Sequence, residues 1–209
     1  MKITVIDYGA GNVKSVINAL SLVKSDDAQI ILSSKISDLK SAHHLILPGV
    51  GAFGDCMNGL KSIEGFLPEL RKQVLVEKKP FLGVCVGMQV LASIGHEDGG
   101  HVGLGFINGV VEKISGENLK VPHMGWNNIS IKASKHEVLK DIQDGEHFYF
   151  ANSFHFISQN ENNVLAQVEY GAKLTAIIGK ENILGAQFHP EKSGEAGLRF
   201  LKNFLNWRP

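Results

Sequence analysis

The chain has 209 residues, 44% of them hydrophobic, with 21 basic and 21 acidic side chains and no long run of either sign. That length allows one domain, residues 1–209, with a large core, and the balanced charge disfavours nucleic acid or an anionic membrane as the main partner. Two cysteines, Cys56 and Cys85, make no disulfide framework and suit a reducing, cytoplasmic setting, the N-terminus lacks a signal-peptide pattern, and no apolar stretch approaches the ~20 residues of a membrane span.

In chain order, residues 3–6 read as a central strand ending at Asp7, followed by the loop Tyr8-Gly9-Ala10-Gly11-Asn12. Val13, Val16, Ile17 and Leu20 then recur at helical spacing, which predicts an amphipathic helix. Residues 29–32 and 44–47 read as strands, the second broken by Pro48-Gly49-Val50-Gly51. Residues 55–60 and 66–77 read as helices. This alternation predicts a flavodoxin-like, mostly parallel sheet with helices on both faces. Beyond Gly95 the texture changes to short strand candidates at 106–114, 128–132, 147–150, 164–169, 174–179 and 183–188, several of them expected to pair antiparallel, which predicts an antiparallel extension. Ser193 is placed to cap a last helix whose inward stripe is Leu198, Leu201, Phe204 and Leu205.

The stretch 81–94 carries the chemistry. It opens apolar, reaches Gly83-Val84-Cys85-Val86-Gly87, and runs without turn residues to Gly95, which predicts a strand, a tight bend and a helix. Gly-x-nucleophile-x-Gly at such a bend is the form of a nucleophile elbow. Cys85 would sit at a helix N-terminus, where exposed N–H groups and the helix dipole favour the thiolate.

A cysteine nucleophile needs a base, and the base an orienting partner. Of the nine histidines, His189 stands out in Gln187-Phe188-His189-Pro190-Glu191, directly off an apolar strand, where the ends of parallel strands line a crevice. Glu191 is close enough in sequence to reach the far ring nitrogen. The distant acids Asp141 and Asp144 remain open as alternatives. His43, His44, His96, His101, His136 and His147 read as solvated or capping residues. The oxyanion of a tetrahedral intermediate requires N–H donors; Val86 is the first, and Pro48-Gly49-Val50-Gly51 can supply a second. Gly9-Ala10-Gly11 lacks the third glycine of a dinucleotide fingerprint because Lys14 stands there, and Cys56 beside Met57 reads as core. No Cys/His spacing suggests zinc or another metal, and no cofactor is expected.

Together the elbow Gly83 to Gln89, the segment Pro48 to Gly51 and the pair His189-Pro190-Glu191 resemble the triad-type, class I glutamine amidotransferases. Within that superfamily the chain is similar to the glutaminase subunits of imidazole glycerol phosphate synthases. This resemblance rests on Asp7-Tyr8-Gly9-Ala10-Gly11-Asn12, Leu47 to Asp55, Val121-Pro122-His123-Met124-Gly125-Trp126-Asn127 and Gln187 to Ser193. It implies that Cys85 attacks the carboxamide of glutamine, that His189 is the proton shuttle and that Glu191 orients it. It implies an oxyanion site at Val50, Gly51 and Val86, and glutamine held by Gly51, Gln89, Ser153 and Phe154. It further implies ammonia delivery to a (β/α)-barrel cyclase subunit docked on Tyr8, Asn12, His123, Trp126, Tyr149 and Lys192.

The chain departs from the family at two places. Val86 stands where Leu is common, with its N–H unchanged. Asn152 stands where His is usual, and Phe154 where Tyr is frequent, which exchanges a titratable ring for an amide. Two other functions stay open on sequence: a paralogous glutaminase feeding a different synthase, such as one that modifies surface sugars, and a non-catalytic subunit that only binds a partner.

Overall fold

The structure is a computed structural model that describes residues 1–9, 13–117 and 119–209. The first half alternates strand and helix: β1 (Lys2–Ile6), α1 (Val13–Val23), β2 (Gln29–Ser33), α2 (Ile36–Ser41), β3 (His44–Gly49), α3 (Phe53–Ser62), α4 (Phe66–Arg71), β4 (Phe81–Cys85) and α5 (Val86–Gln89). Short strands follow, β5 (Ile94–Gly95), β6 (His101–Val102) and β7 (Gly109–Lys113). Then come β8 (His123–Ile131), β9 (His147–Asn152), β10 (Phe154–Ser158), β11 (Val164–Glu169), β12 (Lys173–Lys180), β13 (Ile183–Ala186) and α6 (Gly194–Asn206).

Among the described residues nine strands form one sheet in the order β2-β1-β3-β4-β13-β12-β11-β8-β9. The first five are mutually parallel and the last four pairings antiparallel. The flavodoxin-like parallel core and the antiparallel extension are thus both present. A second sheet, β10-β7-β5-β6, lies beside it. From β1 the chain steps outward through α1 to β2, then back through α2 to β3 and onward through α3 and α4 to β4. Right-handed crossovers therefore put α1 on one face and α2 to α4 on the other. The packing agrees, with α1 against α6, and α4 against both α2 and α3.

Burial follows from this placement. Every residue of β3 and β4 is buried, because these strands have neighbours on both edges and helices over both faces. The edge strand β2 is mostly half-exposed. In α6, Ala196, Phe200, Leu201, Phe204 and Leu205 form the buried stripe, while Leu198 is only half-buried at its margin.

Several elements differ from the sequence reading. The helix after Cys85 ends at Gln89, not at Ile94, and turns closed by Leu91 N–H to Met88 O and Ala92 N–H to Gln89 O follow. The predicted helix 66–77 is α-helical to Arg71 and then widens into a π-helical turn, Lys72–Val76. β8 begins at His123, five residues before the expected start, and α2 and β10 were not anticipated. Ser193 occupies the N-cap of α6, yet its hydroxyl makes no cap bond; it donates to His189 O at 2.7 Å instead.

Candidate active site

Cys85 ends β4 in a conformation that side chains rarely adopt, φ 54° and ψ −114°. Strain of this kind persists only where the surroundings over-determine it. Here α5 is pressed onto the sheet by missing side chains. A Cβ on Gly87 would fall 1.9 Å from Leu47 O, one on Gly83 would fall 2.3 Å from Gly87 O, and one on Gly49 would fall 2.4 Å from Gly87 N. The bend therefore needs glycine on both sides of Cys85 and a third on the neighbouring strand. Cys85 caps the N-terminal end of α5, whose first-turn N–H groups lack intrahelical acceptors.

The two strands beside β4 bring the other groups. Gly49 of β3 stands opposite Cys85, and Ala186 of β13 opposite Val84. One residue further along, Gln187 points its amide at the Cys85 sulfur, Nε2 to Sγ 3.9 Å. Two more residues along comes His189. Its Nδ1 lies 2.9 Å from Glu191 Oε1, with the two side chains only 6% and 2% exposed. Burial alone would push this imidazole down. The neighbouring Cys85 and the hydrogen-bonded Glu191 carboxylate outweigh burial and lift it to about 9. The structure thus brings Cys85, His189 and Glu191 into one neighbourhood, with His189 in direct contact with Glu191. Asp141 and Asp144 lie elsewhere: Asp141 O accepts from Arg199, and Asp144 accepts from Ile131 N–H.

The His189 backbone is held from three sides. Its N–H donates to Tyr149 O at 2.9 Å. Its carbonyl accepts from Ser193 Oγ and, at 3.0 Å, from Lys192 N–H. Ser193 Oγ in turn accepts from Tyr149 N–H at 3.0 Å, so strand β9 and the turn after His189 are clamped together. Sequence reasoning missed Gln187 and this use of Ser193. Gln187 was hidden because the sequence does not show that β13 pairs in parallel with β4, which is what places it beside Cys85.

The predicted oxyanion segment leaves the sheet at Gly49. Val50 is half-buried and Gly51 exposed, and Gly51 has φ +86°, a left-handed conformation that glycine adopts without strain. The Tyr8 hydroxyl is buried near Cys56 and the backbone of Val50. It finds no partner of hydrogen-bond geometry among the described residues. Burial raises both Tyr8 and Cys56, the latter to about 12, so Cys56 is an inert core thiol.

Gln89 Nε2 donates to Phe154 O at 3.0 Å and to Gln187 Oε1 at 3.1 Å. Asn152 Nδ2 donates to the same Phe154 carbonyl at 2.9 Å, and Ser153 O accepts from Ile114 N–H at 2.9 Å. Gln89 and Asn152 thus converge on the Phe154 carbonyl, and Ser153 is tied to Ile114.

The residues assigned to docking divide. Trp126 is 57% exposed on β8, directly opposite Tyr149 on β9, with the Lys192 ammonium 5.8 Å from the Tyr149 ring centroid. Met124 is exposed two residues before Trp126. His123, by contrast, is buried and stacked between Phe150 and Tyr170, with centroids at 4.7 and 4.0 Å. Strand alternation turns it away from the Trp126 side. Tyr8 lies half-buried over Gly59 with its hydroxyl inside. Asn12 is outside the described residues.

The family description "Glutamine amidotransferase class-I" matches residues 4–207, and the chain belongs to that class. Imidazole glycerol phosphate synthase subunit HisH of Rhodospirillum rubrum is 48% identical over 214 aligned residues covering 100% of both chains. The protein of the same name from Zymomonas mobilis is 45% identical, covering 99% of this chain and 96% of its own. Within its class, the chain therefore belongs to the HisH family. PurLQS from Thermotoga maritima superposes with a TM-score of 0.74 at 18% identity, over 98% of this chain and 97% of that one, a likeness of fold. Among the described residues no helix is long and apolar enough to cross a membrane, and no group of three His, Cys, Asp or Glu side chains is placed to hold a metal.

Proposed function

We propose that residues 1–209 form a single glutaminase domain that hydrolyses glutamine to glutamate and ammonia. The ammonia passes to a (β/α)-barrel cyclase subunit, which makes imidazole glycerol phosphate and an aminoimidazole carboxamide ribotide in histidine biosynthesis. The observation that carries this reading is the His189–Glu191 contact beside Cys85, at the ends of two adjacent parallel strands. The full-length identity to HisH proteins supports the histidine-pathway acceptor over a sugar-modifying synthase.

In this mechanism Cys85 Sγ attacks the side-chain carboxamide carbon of glutamine. His189 takes the thiol proton and gives it to the departing nitrogen, so ammonia leaves and a glutamyl thioester remains. Water, deprotonated by His189, then releases glutamate and restores the thiol. Glu191 fixes the ring tautomer and stabilises the imidazolium. Val86 N–H, with Val50 and Gly51, receives the oxyanion. Gln89 and Gly51 hold glutamine on one side, and Ser153 and Phe154 on the other.

Docking of the cyclase uses the exposed Trp126, with Tyr149 and Lys192, and the Tyr149–His189 hydrogen bond ties that face to the proton shuttle. The test is ammonia release from glutamine by the purified pair with a cyclase ligand present. Cys85→Ala is expected to abolish it, and retained turnover would refute the assignment.

A further inference from the structure

Away from Cys85, strand β10 and the antiparallel part of the main sheet line a cavity of about 460 Å³. Its floor is one polar face of the sheet. Gln167 of β11 stands opposite Thr175 of β12 and opposite Ser130 of β8. Lys173, two residues before Thr175, and Lys132, two after Ser130, share that side by strand alternation. His155 of β10 and Glu161 complete the lining used here.

Two polar groups of this lining have no protein partner among the described residues. Thr175 is only 6% exposed, and its hydroxyl has no hydrogen-bond partner among the described residues. His155 Nδ1 is buried and likewise unpaired. The Thr175 hydroxyl lines the cavity and is free to hydrogen-bond a molecule that enters it. The charge has a sign as well. Neither Lys132 nor Lys173 has an ion-pair partner among the described residues, and Glu161 is the single carboxylate among the lining residues. A cavity of this size suits a small metabolite.

We propose that this cavity binds a small phosphate monoester carrying hydroxyl groups. Lys132 and Lys173 take the phosphate oxygens, and Thr175, Gln167 and Glu161 meet the hydroxyls. Strand β10 is common to both sites: its first residue, Phe154, accepts from Gln89, and His155 lines the cavity. The proposal is independent of the glutaminase reading, because it uses none of the residues assigned to that reaction.

The test is an amide-resolved NMR titration of the full chain with glycerol 3-phosphate, inorganic phosphate and glycerol. Saturable shifts at Lys132, Gln167 and Thr175 are expected with glycerol 3-phosphate, weaker ones with inorganic phosphate, and none with glycerol. The double variant Lys132→Gln, Lys173→Gln is expected to weaken glycerol 3-phosphate binding about tenfold or more, the loss of charge-assisted hydrogen bonds, with partner-stimulated glutaminase unchanged. No saturable shift at these amides, or equal binding by the double variant, would overturn the proposal. Inorganic phosphate binding as tightly as glycerol 3-phosphate would overturn the assignment of the hydroxyl contacts.

Discussion

Glu191 Oε1 sits 2.9 Å from His189 Nδ1, in a pair of side chains almost wholly withdrawn from solvent. The Pro190–Lys192 turn makes this possible, since it folds the acid back beneath the ring two residues earlier. Replacing Glu191 with Gln keeps the shape and removes the charge. Partner-stimulated glutaminase is expected to fall roughly 10²-fold or more, the size of a general acid–base contribution. Steady-state ammonia release checks this, and a loss smaller than fivefold, on the order of 1 kcal/mol, would leave Glu191 without its orienting part.

The same pair has a pH signature. His189 is raised above its ordinary value, to about 9, by hydrogen bonds and charge that outweigh burial. A raised histidine stabilises the fold fully below its unfolded value, about 6.5, and that contribution is lost as pH rises through the folded value. The gap in melting temperature between the wild type and Glu191→Gln is therefore expected to be widest near pH 6 and to shrink through pH 9. A gap that widens with pH would contradict the assignment.

Gly87→Ala tests the elbow. The added methyl would meet Leu47 O at 1.9 Å, a backbone atom that cannot swing aside. A loss of about 1–3 kcal/mol or more in urea unfolding is expected, as for overpacked cores. Gly100→Ala, whose Cβ meets only Ile94 Cδ1 at 3.9 Å, is the control and is expected to unfold like the wild type.

Much of this was legible in the sequence, for physical reasons that differ by region. Strands buried on both faces, such as β3 and β4, are continuous apolar runs and declare themselves. The elbow and the His189–Glu191 pair are legible because their chemistry requires residue types at short, fixed spacing. The end of α5 was not. Residues 86–92 are buried throughout, so no polar face marks where helix gives way to turns. α2 is six residues long and has no side-chain cap, too little for a period to show. Ser193 looked like a cap because its type and position suit one, and only the tertiary fold supplies His189 O as a better acceptor. His123 and Trp126 sit in one motif, and strand alternation sends them to opposite sides.

Trp126→Ala addresses the proposed docking face. A ring this exposed beside Tyr149 contributes little to the isolated fold, so its melting temperature is expected to stay within about 2 °C of the wild type. Affinity for the cyclase subunit is expected to drop by about 2 kcal/mol, as for an aromatic interface anchor. Calorimetric titration of one subunit into the other reads this directly, and unchanged affinity would move the interface elsewhere.

Labelling with a glutamine-derived diazoketone, followed by peptide mass mapping of the partner-bound enzyme, tests the central claim most directly. The expected result is one adduct, on Cys85, with Cys56 untouched and with free glutamine protecting. Ammonia release that continues with Cys85 fully labelled, or an adduct confined to another residue, would contradict the account.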